Sequence, residues 1–81
     1  MTIYKRLADG ADVDAERYDG QADTAMEIAE MLGVECNRTV AGTLMITSGG
    51  RLIPVRNGHW VVKSKTGWVI TDDADFRSRY R

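Results

Sequence analysis

LMITSGGRLIPVRNGHWVVKSKTGWVIT, residues 44–71, reads as short apolar runs separated by three tight-turn signals. Asn57-Gly58 is the strongest, because a type I′ turn needs φ > 0 at both central positions. Gly49-Gly50 suits the same turn, and Thr66-Gly67 is a weaker third. Two-residue loops fix strand register, so the pairing can be written out. About Gly49-Gly50, Ile46 should face Ile53 and Leu44 should face Val55. About Asn57-Gly58, Val55 should face Trp60 and Ile53 should face Val62. About Thr66-Gly67, Lys65 should face Trp68 and Ser64 should face Val69.

Directly opposed residues share a face of the sheet. One face then collects Leu44, Ile46, Ile53, Val55, Trp60, Val62 and Val69, and it is apolar. The other carries Met45, Thr47, Leu52, Pro54, Arg56, His59, Val61, Lys63, Lys65, Trp68 and Ile70, and it is mixed, cationic and half apolar. Pro54 conflicts with this pattern. In a middle strand its missing N–H would face the Trp60 strand, so either the ladder bulges there or one turn is misplaced.

Upstream, Thr24 to Leu32 reads as a helix. Thr24 followed by Glu27 has the capping-box spacing, Gly33 supplies the stop, and Ala25, Ile28, Ala29 and Leu32 form an apolar stripe. Met26 and Met31 fall off that stripe, as edge packing. Ile3–Leu7, Val13–Tyr18 and Val34–Val40 read as short strands. Asp72, Asp73 and Asp75 suit the start of a short C-terminal helix and the basic Arg77, Arg79 and Arg81 suit its end. Phe76 and Tyr80, four apart, share a face and close one end of the core. The expected fold is therefore α+β: an antiparallel β-meander over about residues 43–71, a helix over about 24–32 on its apolar face, and a short C-terminal helix or turn. Residues 1–81 form a single domain.

A chain of 81 residues buries only about 60% of its unfolded surface, which favours oligomerisation, here to a dimer or tetramer. The lone Cys36 gives no disulfide framework and fits a reducing cytoplasm. The apolar runs are too short to span a membrane as a helix, and no leader of the secretory type opens the chain. Charge is lopsided. Residues 1–36 hold nine acids against three bases, and residues 37–81 hold eight bases against three acids. A cationic half suits an anionic ligand, and equally suits attraction between the two halves of the chain.

Catalysis is poorly supplied. His59 is the one histidine, no nucleophile elbow is present, and no glycine-rich phosphate loop occurs. Zinc-ligand spacing is absent. The Asp9, Asp12 and Asp14 spacing lacks the glycine and closing glutamate of a calcium loop. Neither a metal nor a cofactor is expected. Binding is better supplied: a Trp68 ring beside Lys63 and Lys65 offers a stacking surface and cations for a nucleotide. Arg56, His59 and Arg51 extend that candidate site. Alternatively, Trp68 packs in a subunit interface with the lysines laid over its ring.

Val13–Gly20 resembles the opening segment of many small phage and prophage proteins. Gly58-His59-Trp60-Val61-Val62-Lys63 resembles their Gly-Asp-Trp-Ile-Ile-basic segment, with His59 in place of Asp. Gly67-Trp68-Val69-Ile70 resembles their Gly-Glu-aromatic turn, with Trp68 in place of Glu, and Asp75-Phe76 with Tyr80 resembles their ending. The resemblance implies a phage accessory protein, of the anti-defence (anti-CBASS) sponge kind that sequesters a cyclic dinucleotide or cyclic ADP-ribose-like signal without degrading it. It also implies a symmetric homo-oligomer with ligands held between subunits. The alternatives are a protein-interaction module that inhibits a host enzyme and a single-strand nucleic-acid binder, the latter weakened by near-zero net charge.

Overall fold

A computed structural model describes residues 2–81 and keeps a turn near each of the three expected places, but only two of them close hairpins. The elements are β1 (Thr2–Lys5), β2 (Asp12–Arg17), α1 (Ala22–Leu32), β3 (Cys36–Arg38), β4 (Leu44–Ser48), β5 (Arg51–Val55), β6 (Trp60–Ser64), β7 (Gly67–Thr71) and α2 (Asp73–Arg79). The fold is α+β with antiparallel strands, as the sequence leads one to expect. The strands form two sheets, one ordered β1-β2-β6-β7 and one ordered β3-β4-β5.

The Gly49-Gly50 hairpin has the expected register, Ile46 opposite Ile53 and Leu44 opposite Val55. The β6–β7 hairpin turns at Lys65-Thr66 rather than Thr66-Gly67. Lys63, not Lys65, therefore faces Trp68, and Val62 faces Val69. A shift of two residues leaves every side chain on its expected face.

Asn57-Gly58 is the main correction. His59 N–H donates to the Arg56 carbonyl at 3.1 Å, so the turn exists, but it carries the chain from one sheet to the other. The expected pairs Val55–Trp60 and Ile53–Val62 do not form. β6 pairs with β2 instead, Ala15 opposite Val62 and Arg17 opposite Trp60. Tyr18 pins the corner: its N–H donates to the His59 carbonyl at 2.9 Å and its carbonyl accepts from Gly58 N–H at 2.8 Å. The reason is burial. Trp60, Val61 and Val62 are three consecutive buried residues, which a strand achieves only when both faces of its sheet are covered.

Two cores result, one on each side of the four-stranded sheet. The first joins Leu44, Ile46 and Val55 of the small sheet to Tyr18, Val61 and the α1 residues Ala25, Ile28 and Met31. The second joins Val13, Ala15, Trp60 and Val62 to Phe76 of α2, with Tyr4 and Tyr80 at its margin. The seven-residue apolar face expected for a single ribbon is thus divided. Leu44, Ile46, Ile53 and Val55 meet α1, whereas Trp60 and Val62 meet α2.

The same split resolves Pro54. β5 is an edge strand. In a two-residue hairpin the closing pair Ser48–Arg51 is hydrogen-bonded, so Arg51, Ile53 and Val55 bond toward β4 and the alternate residues Leu52 and Pro54 point their nitrogens away from it. No ladder bond is lost.

α1 begins at Ala22, two residues before the expected cap. Its N-cap, Gln21, makes no side-chain bond, and the Thr24–Glu27 capping box does not form. Asp19 organises the entry instead, bonded by Thr24 and by Gln21 N–H, and these bonds hold its carboxyl below the usual range. Gly33 ends the helix as expected, at φ 69° with its N–H on the Ala29 carbonyl. The buried stripe is Ala25, Ile28 and Met31, so Met31 is core rather than edge. Val34–Val40 yields only the three-residue β3. α2 opens on Asp72, whose carboxylate accepts Asp75 N–H at 2.8 Å. Among the described residues no helix is long and apolar enough to cross a membrane.

Candidate ligand cleft

The residues expected to form a nucleotide surface are not brought together as a set: Lys63, Lys65 and Trp68 are neighbours, whereas Arg56, His59 and Arg51 lie elsewhere. Trp68 and Lys63 are directly paired, on the face that α1 covers. The Trp68 ring is half-buried against the core that contains Ile28 and Met31, so it is not an open stacking platform. Lys63 Nζ donates to the Met31 carbonyl at 2.9 Å, at the negative end of α1. Lys63 also stands opposite Asp14 across the β2–β6 ladder. Lys65 is exposed in the β6–β7 turn. Arg56 and His59 lie in the Asn57-Gly58 turn, at the far end of β6, roughly 20 Å from Lys65 at strand rise. Arg51 stands beside the tip of the β4–β5 hairpin.

A different group does converge on the opposite face. Tyr4 of β1, Trp60 of β6, Phe76 and Arg77 of α2, and the following Tyr80 and Arg81 line a cleft of about 430 Å³. The Trp60 and Phe76 rings stack with centroids 3.7 Å apart and planes 1° from parallel. Tyr80 stacks on Phe76 at 4.9 Å. Tyr4 meets both Trp60 and Phe76 edge-on.

Asp73 ties this cluster together. Trp60 Nε1–H donates to Asp73 Oδ1 at 2.9 Å and Arg77 Nε–H donates to Oδ2 at 2.8 Å. Arg17 stands 3.8 Å from the same carboxylate. The bond from Arg77, then that from Trp60, holds the Asp73 carboxyl below its ordinary range. Asp73 engages only the Nε of Arg77, and the terminal guanidinium nitrogens have no hydrogen-bond partner among the described residues. Arg81 is placed by backbone bonds, its N–H to the Lys5 carbonyl and its carbonyl from Lys5 N–H, both at 2.8 Å. The cleft therefore presents ring surfaces with two guanidinium groups on the rim. That chemistry suits a flat ligand carrying negative charge.

From the sequence alone, Phe76 and Tyr80 read as the end of a core and the arginines as helix-end cations. The usable signal was the doublet repeat Phe76-Arg77 and Tyr80-Arg81, which sets each arginine beside a ring.

Burial and then a hydrogen bond with Glu27 raise the Glu16 carboxyl to about 7. Burial, then the nearby Glu35, pushes the Cys36 thiol up, away from the thiolate that a nucleophile needs. Among the described residues no group of three or more His, Cys, Asp or Glu is arranged to hold a metal. Comparison of the chain with protein-family models, with curated proteins and with solved structures finds no significant match.

Proposed function

We propose that this chain is a non-enzymatic binding protein that sequesters an anionic nucleotide signal, acting in the cytoplasm of an infected bacterial cell as the phage-protein resemblance implies. The observation that carries the reading is the cleft in which the Tyr4–Trp60–Phe76–Tyr80 ring cluster meets Arg77 and Arg81. A base lies against the ring edges of Tyr4 and Tyr80, and the guanidinium groups take the phosphates. The site expected from sequence around Trp68, Lys63, Lys65, Arg56, His59 and Arg51 is replaced in this proposal, because those side chains are dispersed or engaged.

Calorimetric titration with cyclic dinucleotides and cyclic ADP-ribose isomers tests it. At least one ligand is expected to bind with micromolar affinity. Arg77→Ala and Arg81→Ala are each expected to weaken that binding by about tenfold or more, the loss of a charge-assisted contact, while Lys65→Ala leaves it unchanged. No heat with any member of the panel, or loss on Lys65→Ala with none on Arg81→Ala, overturns the reading.

A further inference from the structure

The two sheets have four outer edges, and three are guarded wholly or in part. β1 is covered at its end: Lys5 N–H donates to the Arg81 carbonyl and, just past the strand, Leu7 N–H donates to the Arg79 carbonyl, each at 2.8 Å, which leaves Ile3 as its outward position without such a bond. β3 lies against α1, with Arg38 donating to the Gly20 carbonyl at 2.9 Å. β5 carries Pro54, which has no N–H to offer.

β7 has no such device. The ladder shows which of its groups are open. Tyr18 N–H donates to the His59 carbonyl, so His59, Val61 and Lys63 bond toward β2, and Trp60, Val62 and Ser64 bond toward β7. On β7, Gly67, Val69 and Thr71 return those bonds. Trp68 and Ile70 consequently direct their N–H and C=O groups away from the sheet. No backbone bond outside the β6 ladder reaches Gly67–Thr71 among the described residues. Val69 is 54% exposed in the middle of this edge.

We infer that β7 pairs antiparallel with β7 of a second copy of this chain about a two-fold axis through Val69. In that register Trp68 and Ile70 exchange N–H···O bonds with the partner's Ile70 and the partner's Trp68. Val69 stands directly against the partner's Val69. Every residue of the strand is used. Charge agrees: beyond the strand ends this register brings the β6–β7 turn, with its Lys65, beside the partner's Asp72, at both ends by symmetry. Lys65 and Asp72 are both exposed, and Lys65 has no ion-pair partner among the described residues. The two four-stranded sheets become one continuous sheet. This inference does not depend on the nucleotide reading, and its test contains no ligand.

Light scattering on the wild-type chain at tens-of-micromolar concentration is expected to give the dimer mass. Val69→Lys, which sets like charges face to face, is expected to raise the dissociation constant by about tenfold or more with unchanged circular dichroism. In a Cys36→Ala background, Val69→Cys is expected to form an intermolecular disulfide rapidly under mild oxidation. Directly opposed, non-bonded residues lie about 4.5 Å apart at Cα, within disulfide reach. Leu52→Cys on the Pro54 strand, 67% exposed, is the slow control. A monomeric wild type, a dimer indifferent to Val69→Lys, or crosslinking of Val69→Cys no faster than of Leu52→Cys overturns the inference.

Discussion

Glu16 lies opposite Val61 on the side of the sheet that α1 covers, where its carboxyl meets Glu27 and, more distantly, Asp19. Removal from water and two like charges disfavour its ionised form, so the folded chain holds a proton there up to about pH 7, against 4.5 for the free group. The sign follows from linkage. A raised folded-state value gives stability that is fully present below the unfolded value and is lost as pH rises through the folded one. Unfolding midpoints are therefore expected to fall between about pH 4.5 and 7. Glu16→Gln keeps the shape and a permanent donor, and is expected to flatten that slope. Because the group is only partly withdrawn from water, screening reduces the effect, and the difference on the alkaline side of neutrality should be on the order of 1 kcal/mol. A denaturant titration repeated across this range measures it, and an unaltered slope in the variant would count against the Glu16–Glu27 contact. Lys63 makes the complementary point: a side chain that looks like a phosphate ligand by composition spends its ammonium on the Met31 carbonyl.

Among the elements, β5 and β6 are separated by a strong turn signal and nevertheless belong to different sheets. The consecutive apolar run Trp60-Val61-Val62 was the legible clue, since a strand with one wet face alternates and this one does not. Pro54 was the second clue, because a middle strand would have rejected it and an edge does not. That edge role is testable. Pro54→Val restores an outward N–H at a position whose side chain is exposed. Folding stability should change by less than about 1 kcal/mol, while concentration-dependent association, followed by light scattering, should increase relative to wild type. Unchanged association would show that β5 is protected by something other than the proline.

At the scale of the molecule, two cores share one sheet, and the adjacent Val61 and Val62 belong to opposite ones. Damage to either should therefore be felt by both. Phe76 is 3% exposed at the centre of the ring stack, and Phe76→Ala is expected to cost about 3–5 kcal/mol. That is a large share of the roughly 5–10 kcal/mol typical of a small domain. Trp60 and Trp68 report separately on the two cores when each is retained in a single-tryptophan background. Both urea midpoints should fall together in the Phe76→Ala variant. A Trp68 transition that stays in place would mean that the cores unfold independently.

Local chemistry settled a good part of this protein from its residues alone. The Gly49-Gly50 hairpin and its register, the Gly33 stop, the α+β class and the burial of Phe76 follow from glycine's access to positive φ, the two-residue period of strands and the 3.6-residue period of helices. Strand partnership was decided only in three dimensions. Pro54 and the run Trp60-Val61-Val62 speak against pairing of β6 with β5, but nothing near Asn57-Gly58 names β2, more than forty residues upstream, as the partner. The choice depends on which arrangement covers both faces of Trp60-Val61-Val62 at once, and that covering comes from α1 and α2, which lie on opposite sides of those residues in the chain. Once β6 joined β2, Trp68 turned toward α1, Lys63 reached Met31, and Tyr4 came to rest against Trp60, Phe76 and the Arg77–Arg81 rim. Those juxtapositions come from long-range burial, which a local reading of the chain does not contain.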